Sequence, residues 1–174
     1  TSTEMGKQYY YRVTAKNAAG ASDPSNVVGP VTIEDLWLVD EMRDMSLIHA
    51  GKGNLELVST KARQAKEDMH RLAGKPGDAI TYRTDGPIKA VKVYAFFPET
   101  VSPMRFSVSS DGTHFTSVRP RSRDHFGGGG EYGYYQPVEY RLRALPAGSR
   151  YLKIECTAPS EIARVEICFG AAEG

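Results

Sequence analysis

Along most of this chain apolar and polar residues alternate with period two, in short runs separated by glycine, proline, asparagine and aspartate. That pattern marks β-strands with one buried face, joined by tight connections. The strongest run is 90–97, Ala-Val-Lys-Val-Tyr-Ala-Phe-Phe, closed by Pro98. Others read at 37–40, 54–58, 79–84 (after the turn Lys75-Pro76-Gly77-Asp78), 104–109, 114–118, 139–142, 151–156 and 162–169. The runs 104–109 and 114–118 flank Ser110-Asp111-Gly112-Thr113, and Asp-Gly is a favoured hairpin turn because the glycine tolerates positive φ. About eight short strands, with turns roughly every 8–15 residues, predict an all-β protein whose main body is a jelly-roll β-sandwich.

The stretch 59–74 leaves two readings open. Ala62, Ala65, Met69 and Leu72 fit one face of a short helix capped by Ser59 or Thr60, and 69–72 equally fits a strand after a polar loop. Trp37 and the pair Phe96-Phe97 are expected in the core, and His114 and Phe115 at an edge beside the hairpin turn.

At the start of the chain Tyr9, Tyr11, Val13, Ala15 and Asn17 alternate strictly. Ala18-Ala19-Gly20, Ser22-Asp23-Pro24-Ser25 and a second run at 26–28 follow, which makes a hairpin. Two strands bury too little apolar surface to offset their ordering entropy. The hairpin is therefore expected to borrow strands or to belong to a larger polypeptide. The order Tyr-x-Tyr-x-Val-x-Ala-x-Asn-x-x-Gly-x-Ser-x-Pro-Ser closely resembles the last two strands of a fibronectin type III domain, over about residues 3–31. The resemblance puts Tyr9 in the place of the corner tyrosine, whose hydroxyl bonds to nearby backbone. It also implies an upstream polypeptide that completes the domain. The organisation expected is thus 1–31 as the end of a fibronectin type III domain, 32–36 as linker, 37–170 as the sandwich and 171–174 as a tail.

Charge narrows the partners. Lys and Arg total 22 against 21 Asp and Glu, a net charge of +1, which argues against a polyelectrolyte partner such as duplex DNA. Ten tyrosines, six phenylalanines, 17 glycines and 10 prolines beside a single tryptophan suit a turn-rich all-β chain. No apolar run approaches the ~20 residues that span a bilayer, and no signal peptide opens the chain; a secreted parent would carry its signal upstream of Thr1. Of the two cysteines, parity places Cys156 on a buried face and Cys168 with Arg164 and Glu166 on the outer one. Opposite faces prevent a disulfide, so two free thiols are expected. No CxxC or zinc spacing occurs among these cysteines and the scattered His49, His70, His114 and His125.

Three further motifs are similar to the second half of galactose-binding-like sandwiches, the group that includes discoidin-type domains and many carbohydrate-binding modules. They are the segment 106–115, Phe-Ser-Val-Ser-Ser-Asp-Gly-Thr-His-Phe, the segment 145–154, Leu-Pro-Ala-Gly-Ser-Arg-Tyr-Leu-Lys-Ile, and 162–167, Ile-Ala-Arg-Val-Glu-Ile. Together with the fibronectin type III remnant, the layout resembles the C-terminal ancillary region of secreted bacterial glycoside hydrolases. The resemblance implies polysaccharide as partner, a tethered catalytic module upstream, an extracellular location, and a chain that is not itself an enzyme. The same folds also serve as structural modules packed against a catalytic domain, or as protein-recognition and adhesion modules. No cofactor is required, but such sandwiches often hold one structural calcium. Asp40, Glu41, Asp44 and Glu166 lie in suitable segments for it.

The candidate binding segment is 119–137, read as a long loop without strand periodicity. Sugars bind by stacking C–H faces on flat rings while charged and amide groups bond the hydroxyls. Phe126, Tyr132, Tyr134 and Tyr135 supply rings here; Arg121, Arg123 and His125 supply polar contacts. The glycine run 127–130 leads into Glu131-Tyr132 rather than Lys-Ser or Lys-Thr, so it is no phosphate cradle. Between 119 and 150 six arginines (119, 121, 123, 141, 143 and 150) face three carboxylates, a surplus that suits carboxylated or sulfated polysaccharide.

Overall fold

A computed structural model describes residues 4, 6–124 and 133–171. The chain divides into two compact units, Thr1–Leu36 and Trp37–Gly174.

In the first unit β1 (Gln8–Tyr11) pairs antiparallel with β4 (Val28–Thr32), Tyr9 opposite Val31 and Tyr11 opposite Val28. β2 (Lys16–Asn17) pairs with β3 (Gly20–Ala21) nearer the tip. The continuous strand expected from Tyr9 to Asn17 is interrupted, and serine hydroxyls bridge the gap. The Val13 and Ala15 amides donate to Ser25 Oγ and Ser22 Oγ at 2.9 and 3.0 Å. The Ser25 and Ser22 amides return bonds to the Val13 and Ala15 carbonyls, each at 2.8 Å. The Glu4 amide donates to Tyr9 Oη at 2.7 Å. Tyr10, Val13, Val27 and Val28 remain more than half exposed.

The second unit is an all-β sandwich. Its strands are β5 (Leu36–Asp40), β6 (Ala50–Lys52), β7 (Glu56–Val58), β8 (Arg71–Gly74), β9 (Ala79–Arg83), β10 (Ile88–Phe97), β11 (Arg105–Ser109), β12 (Thr116–Val118), β13 (Arg121–Asp124), β14 (Gln136–Arg143), β15 (Tyr151–Glu155) and β16 (Ser160–Phe169). One sheet runs β13-β14-β10-β16-β8-β7, with β5 also on β16; the other runs β12-β11-β15-β9-β6. The inner faces meet in one apolar core. Val91, Val93, Ala95 and Phe97 of β10 and Val138, Tyr140 and Leu142 of β14 belong to it, as do Ile80 and Tyr82 of β9, Leu152 and Ile154 of β15, and Val165 and Ile167 of β16. Period-two strands with one apolar parity fold this way because two sheets can exclude water from both inner faces at once.

Several expectations are corrected. Of the two readings of 59–74 the helix is overturned: 59–70 are turns and irregular chain, with Lys61, Lys66 and Glu67 at positive φ. A strand, β8, follows them as the other reading had it, beginning at Arg71 rather than Met69. Arg71, 0% exposed, secures these turns. Its Nε bonds Glu161 Oε2 at 2.6 Å, and its two terminal nitrogens donate to the Asp68 and Thr60 carbonyls. Trp37 is 53% exposed rather than buried: Leu38 packs against the core and Asp40 is buried, so strand parity turns Trp37 and Val39 outward. Asp40 is tolerated inside because it accepts bonds from the Tyr82 hydroxyl and the Met42 amide, both at 2.9 Å. Burial, and then the Asp40 charge, push the Tyr82 phenol far above its ordinary value. The 119–137 stretch is not all loop, since 121–124 forms β13 along β14.

Neither cysteine forms a disulfide, as expected. Cys156 lies in the core, and burial raises its thiol pKa. Cys168 keeps the outward parity, opposite Ala90, yet is only 5% exposed and outside the core cluster. The Asp111-Gly112 turn is wider than a two-residue hairpin. Asp111 organises it, accepting bonds from the Thr113 and His114 amides at 2.8 Å and pairing with His114 Nδ1 at 2.7 Å, while Gly112 takes φ +79°. Bonds from His114, then Thr113 and Ser109, pull the Asp111 carboxyl well below the usual range.

Candidate functional site

Register assembles a site that no single strand displays. On the outer face of the large sheet, Arg123 of β13 stands opposite Glu139 of β14, Glu139 opposite Tyr94 of β10, and Tyr94 opposite Arg164 of β16. The next row reads Arg121, Arg141, Lys92 and Glu166 across the same four strands. A register shift between Tyr94 and Ala95, opposite Ala163, keeps Val165 inward and sets Arg164 and Glu166 in these rows. Parity in the sequence marks Arg164 and Glu166 as outward, but only the pairing puts the eight residues side by side.

The rows are cross-linked. Glu139, 1% exposed, takes Arg123 Nε at 3.0 Å and also binds Arg141. Burial alone would raise its carboxyl, but the Arg141 and Arg123 hydrogen bonds and charges outweigh that and hold it at about 2. Glu166 binds Arg164 at 2.8 Å and Lys92 at 3.1 Å, and Arg164 reaches on to Glu41 at 2.8 Å. The Lys92 ammonium lies 5.9 Å from the centre of the Trp37 ring. Burial, followed by the Glu166 and Glu139 charges, raises the Tyr94 phenol, so it is a hydroxyl donor near neutral pH.

Two clefts open along this face, with the Tyr94–Glu139 pair between them. One, of about 420 Å³, is lined by Tyr94, Phe96, Ala163, Arg164 and Glu166 of the sheet and by the turn residues Lys66, Glu67 and Asp68. That turn is pinned by a small apolar cluster of Ala65, Phe96, Tyr135 and Ala163, and by the Tyr135 amide donating to the Gln64 carbonyl at 2.9 Å. The other cleft, of about 500 Å³, is walled by Arg119, Arg121, Arg123, Arg141 and Arg143 around Glu139.

The expected site residues separate accordingly. Arg121 and Arg123 line the second cleft. Tyr134 is half-buried beside the first, with the Lys66 ammonium 4.2 Å from its ring centre. Tyr135, expected as a stacking ring, is a packing residue, 8% exposed; it holds the turn against the sheet and offers no face to a sugar. His125, Phe126 and Tyr132 lie outside the described residues. Tyr94, Lys92, Arg164 and Trp37 are the additions.

The calcium ligands suggested by the sequence do not converge. Asp40 is committed to Tyr82 and Met42, and Glu41 and Glu166 to arginine and lysine cations. Asp44 is exposed and accepts the Ser46 amide at 2.8 Å; bonds from Ser46 lower its pKa. Among the described residues no three His, Cys, Asp or Glu side chains are grouped to hold a metal. Glu41 and Glu166, already neutralised by cations, do not fit a divalent ion.

No family model matches the chain. Among solved structures it is similar to the catalytic domain of a GH87 alpha-1,3-glucanase in complex with tetrasaccharides, with TM-score 0.47 and 13% identity, over 79% of this chain and 28% of that one. It is also similar to a family 6 carbohydrate-binding module, with TM-score 0.38 and 10% identity, over 78% of this chain and 94% of that one. The chain thus spans under a third of the glucanase chain and nearly all of the module.

Proposed function

We propose that this chain is a non-catalytic, polysaccharide-binding region of a secreted bacterial glycoside hydrolase with several domains. In this reading the sandwich binds glycan on the outer face of its large sheet, and the first unit is the end of a fibronectin type III domain. The observation that carries the proposal is the pair of ionic cross-strand rows around Tyr94, lining two clefts on a rigid sheet. Such a surface offers a ring for C–H stacking and a dense set of hydroxyl partners already held in place. The Tyr9 hydroxyl bonded to the Glu4 amide supports the assignment of the first unit. The role is passive: a weak site keeps a tethered catalytic module near its substrate by raising effective concentration. Glu139, held ionised between two guanidiniums, is the opposite of the raised-pKa carboxyl that a glycosidase acid requires.

Affinity electrophoresis of the full chain through gels cast with neutral and acidic polysaccharides tests this. Retardation on at least one polymer is expected, with Tyr94→Ala weakening it about fivefold, the effect of losing one stacking ring worth ~1 kcal/mol. No retardation on any polymer overturns the proposal.

A further inference from the structure

Five of the six arginines counted between residues 119 and 150 come from two separate stretches, 119–123 and 141–143, yet all five line one cleft of about 500 Å³. Among the described residues Glu139 is the one acidic residue in its lining, and it is shared by Arg123 and Arg141. Among the described side chains, Arg119, Arg121 and Arg143 have no carboxylate within ion-pair distance. Arg121 stands directly opposite Arg141 across the β13–β14 ladder. Like charges facing each other across strands destabilise a sheet, and of this facing pair Glu139 binds Arg141 but not Arg121. Among the described side chains the cleft therefore carries more cations than anions.

We infer that this arginine cleft is a binding site for the acidic groups of a polysaccharide, carboxylate or sulfate, carried on consecutive sugars. The inference rests on the glycan-binding reading and names its substrate class. Guanidinium is the fitting donor, because its planar fork bonds two oxygens of one oxyanion at once, which an ammonium does not do. The cleft falls in the size range of small-ligand sites, roughly 300–1,000 Å³, and so takes a short sugar segment. A chain of net charge +1 has no extended positive field for a nucleic acid to follow, whereas a local cluster serves spaced anions on a stiff glycan. The adjoining cleft at Tyr94 would stack a ring of the same glycan while the arginines hold its acidic substituents.

The test uses polymers paired by charge on the same backbone. These are polygalacturonate against its fully methyl-esterified form, and a sulfated galactan against its desulfated form, with double-stranded DNA as a further arm. Affinity electrophoresis is run at about 20 mM and about 300 mM NaCl, the second bringing the screening length below ~6 Å. The full chain is expected to be retarded at least fivefold more by one charged polymer than by its neutral partner. The difference should collapse at the higher salt. Arg121→Gln should lower retention on that polymer about tenfold, as for loss of a charge-assisted hydrogen bond, with Arg121→Lys only partly restoring it. The preferred pair tells carboxylate from sulfate recognition. Equal retention on charged and neutral partners overturns this inference and leaves glycan binding standing. Retention on DNA as strong as on the acidic glycans also overturns it, in favour of a general anion surface. No retention on any polymer overturns both readings.

Discussion

Replacing Arg71 by alanine should unfasten the wall of the Tyr94 cleft from the sheet. Arg71 is fully buried; it holds Glu161 with Nε at 2.6 Å and caps the carbonyls of Thr60 and Asp68, so one side chain ties the turn at 60–68 to β16. Arg71→Ala leaves those two carbonyls and a carboxylate without their donor. Removing one partner of a buried pair costs about 3–5 kcal/mol. The Glu161 side chain keeps 14% exposure and can recover some hydration, which places the expected loss at the lower end, about 3 kcal/mol. Unfolding entropy of about 2.1 cal/mol/K per residue gives about 0.3 kcal/mol/K for a unit of about 140 residues, hence a fall in Tm of about 10 °C. Differential scanning calorimetry reads this directly. Limited proteolysis should show new cleavage within 61–68 before the rest of the sandwich is cut, because the turn opens locally at lower cost than the core. Glu161→Ala should act on the same contact, so the double variant should lose clearly less than the sum of the singles. A fall in Tm of under about 3 °C for Arg71→Ala, with additive singles, would refute the latch.

Three other outcomes are expected. Tyr82→Phe removes the hydroxyl that satisfies the buried Asp40 carboxylate, and chemical denaturation should show a loss of about 1–3 kcal/mol; no loss would mean that Asp40 is solvated after all. Glu139 has a folded pKa of about 2 against an ordinary 4.5; its pairing stabilises fully above the ordinary value and is lost as pH falls through the folded one. Tm measured against pH should therefore decline between about pH 5 and 2 less steeply in Glu139→Gln than in the parent, and parallel curves would count against the clamp. Cys156 and Cys168 are buried and form no disulfide, so a thiol reagent such as DTNB should titrate neither in the native state and both after denaturation; rapid native labelling would contradict their burial.

Much of the sandwich can be read from the chain because β10, β14, β15 and β16 announce themselves by strict alternation with one apolar parity. β6, Ala50-Gly51-Lys52, and β13, Arg121-Ser122-Arg123-Asp124, carry no such signal. They are edge strands of their sheets, made strands by their neighbours rather than by their own residues. The ambiguous stretch 59–70 is settled by a contact with Glu161, ninety positions away from Arg71, which no local pattern reveals. Trp37 was expected inside on the general habit of large apolar residues, whereas the parity of Leu38 and the buried Asp40 decides otherwise. The site was half visible. The arginine surplus stands out in the sequence, but its gathering into one cleft and its junction with Tyr94 depend on the β13–β14–β10–β16 register and the irregularity at Ala163. Composition cannot supply that alignment.

The large sheet is assembled around its latest arrival. β16 is the last strand in the described chain, yet it sits in the middle, with β10 on one side and β8 and β5 on the other. While the polypeptide is still leaving the ribosome, β10 has an open flank, the β7-β8 pair stands apart from the sheet, and β5 has no strand to join. Unpaired flanks of this kind invite aggregation. The protein is therefore all or nothing in synthesis: a message truncated about ten codons short of β16's end would not yield a slightly smaller sandwich. It would yield β13-β14-β10, with Arg121, Arg123, Arg141 and Arg143, severed from the β7-β8 pair, and would leave β5 and its Trp37 with no strand to join.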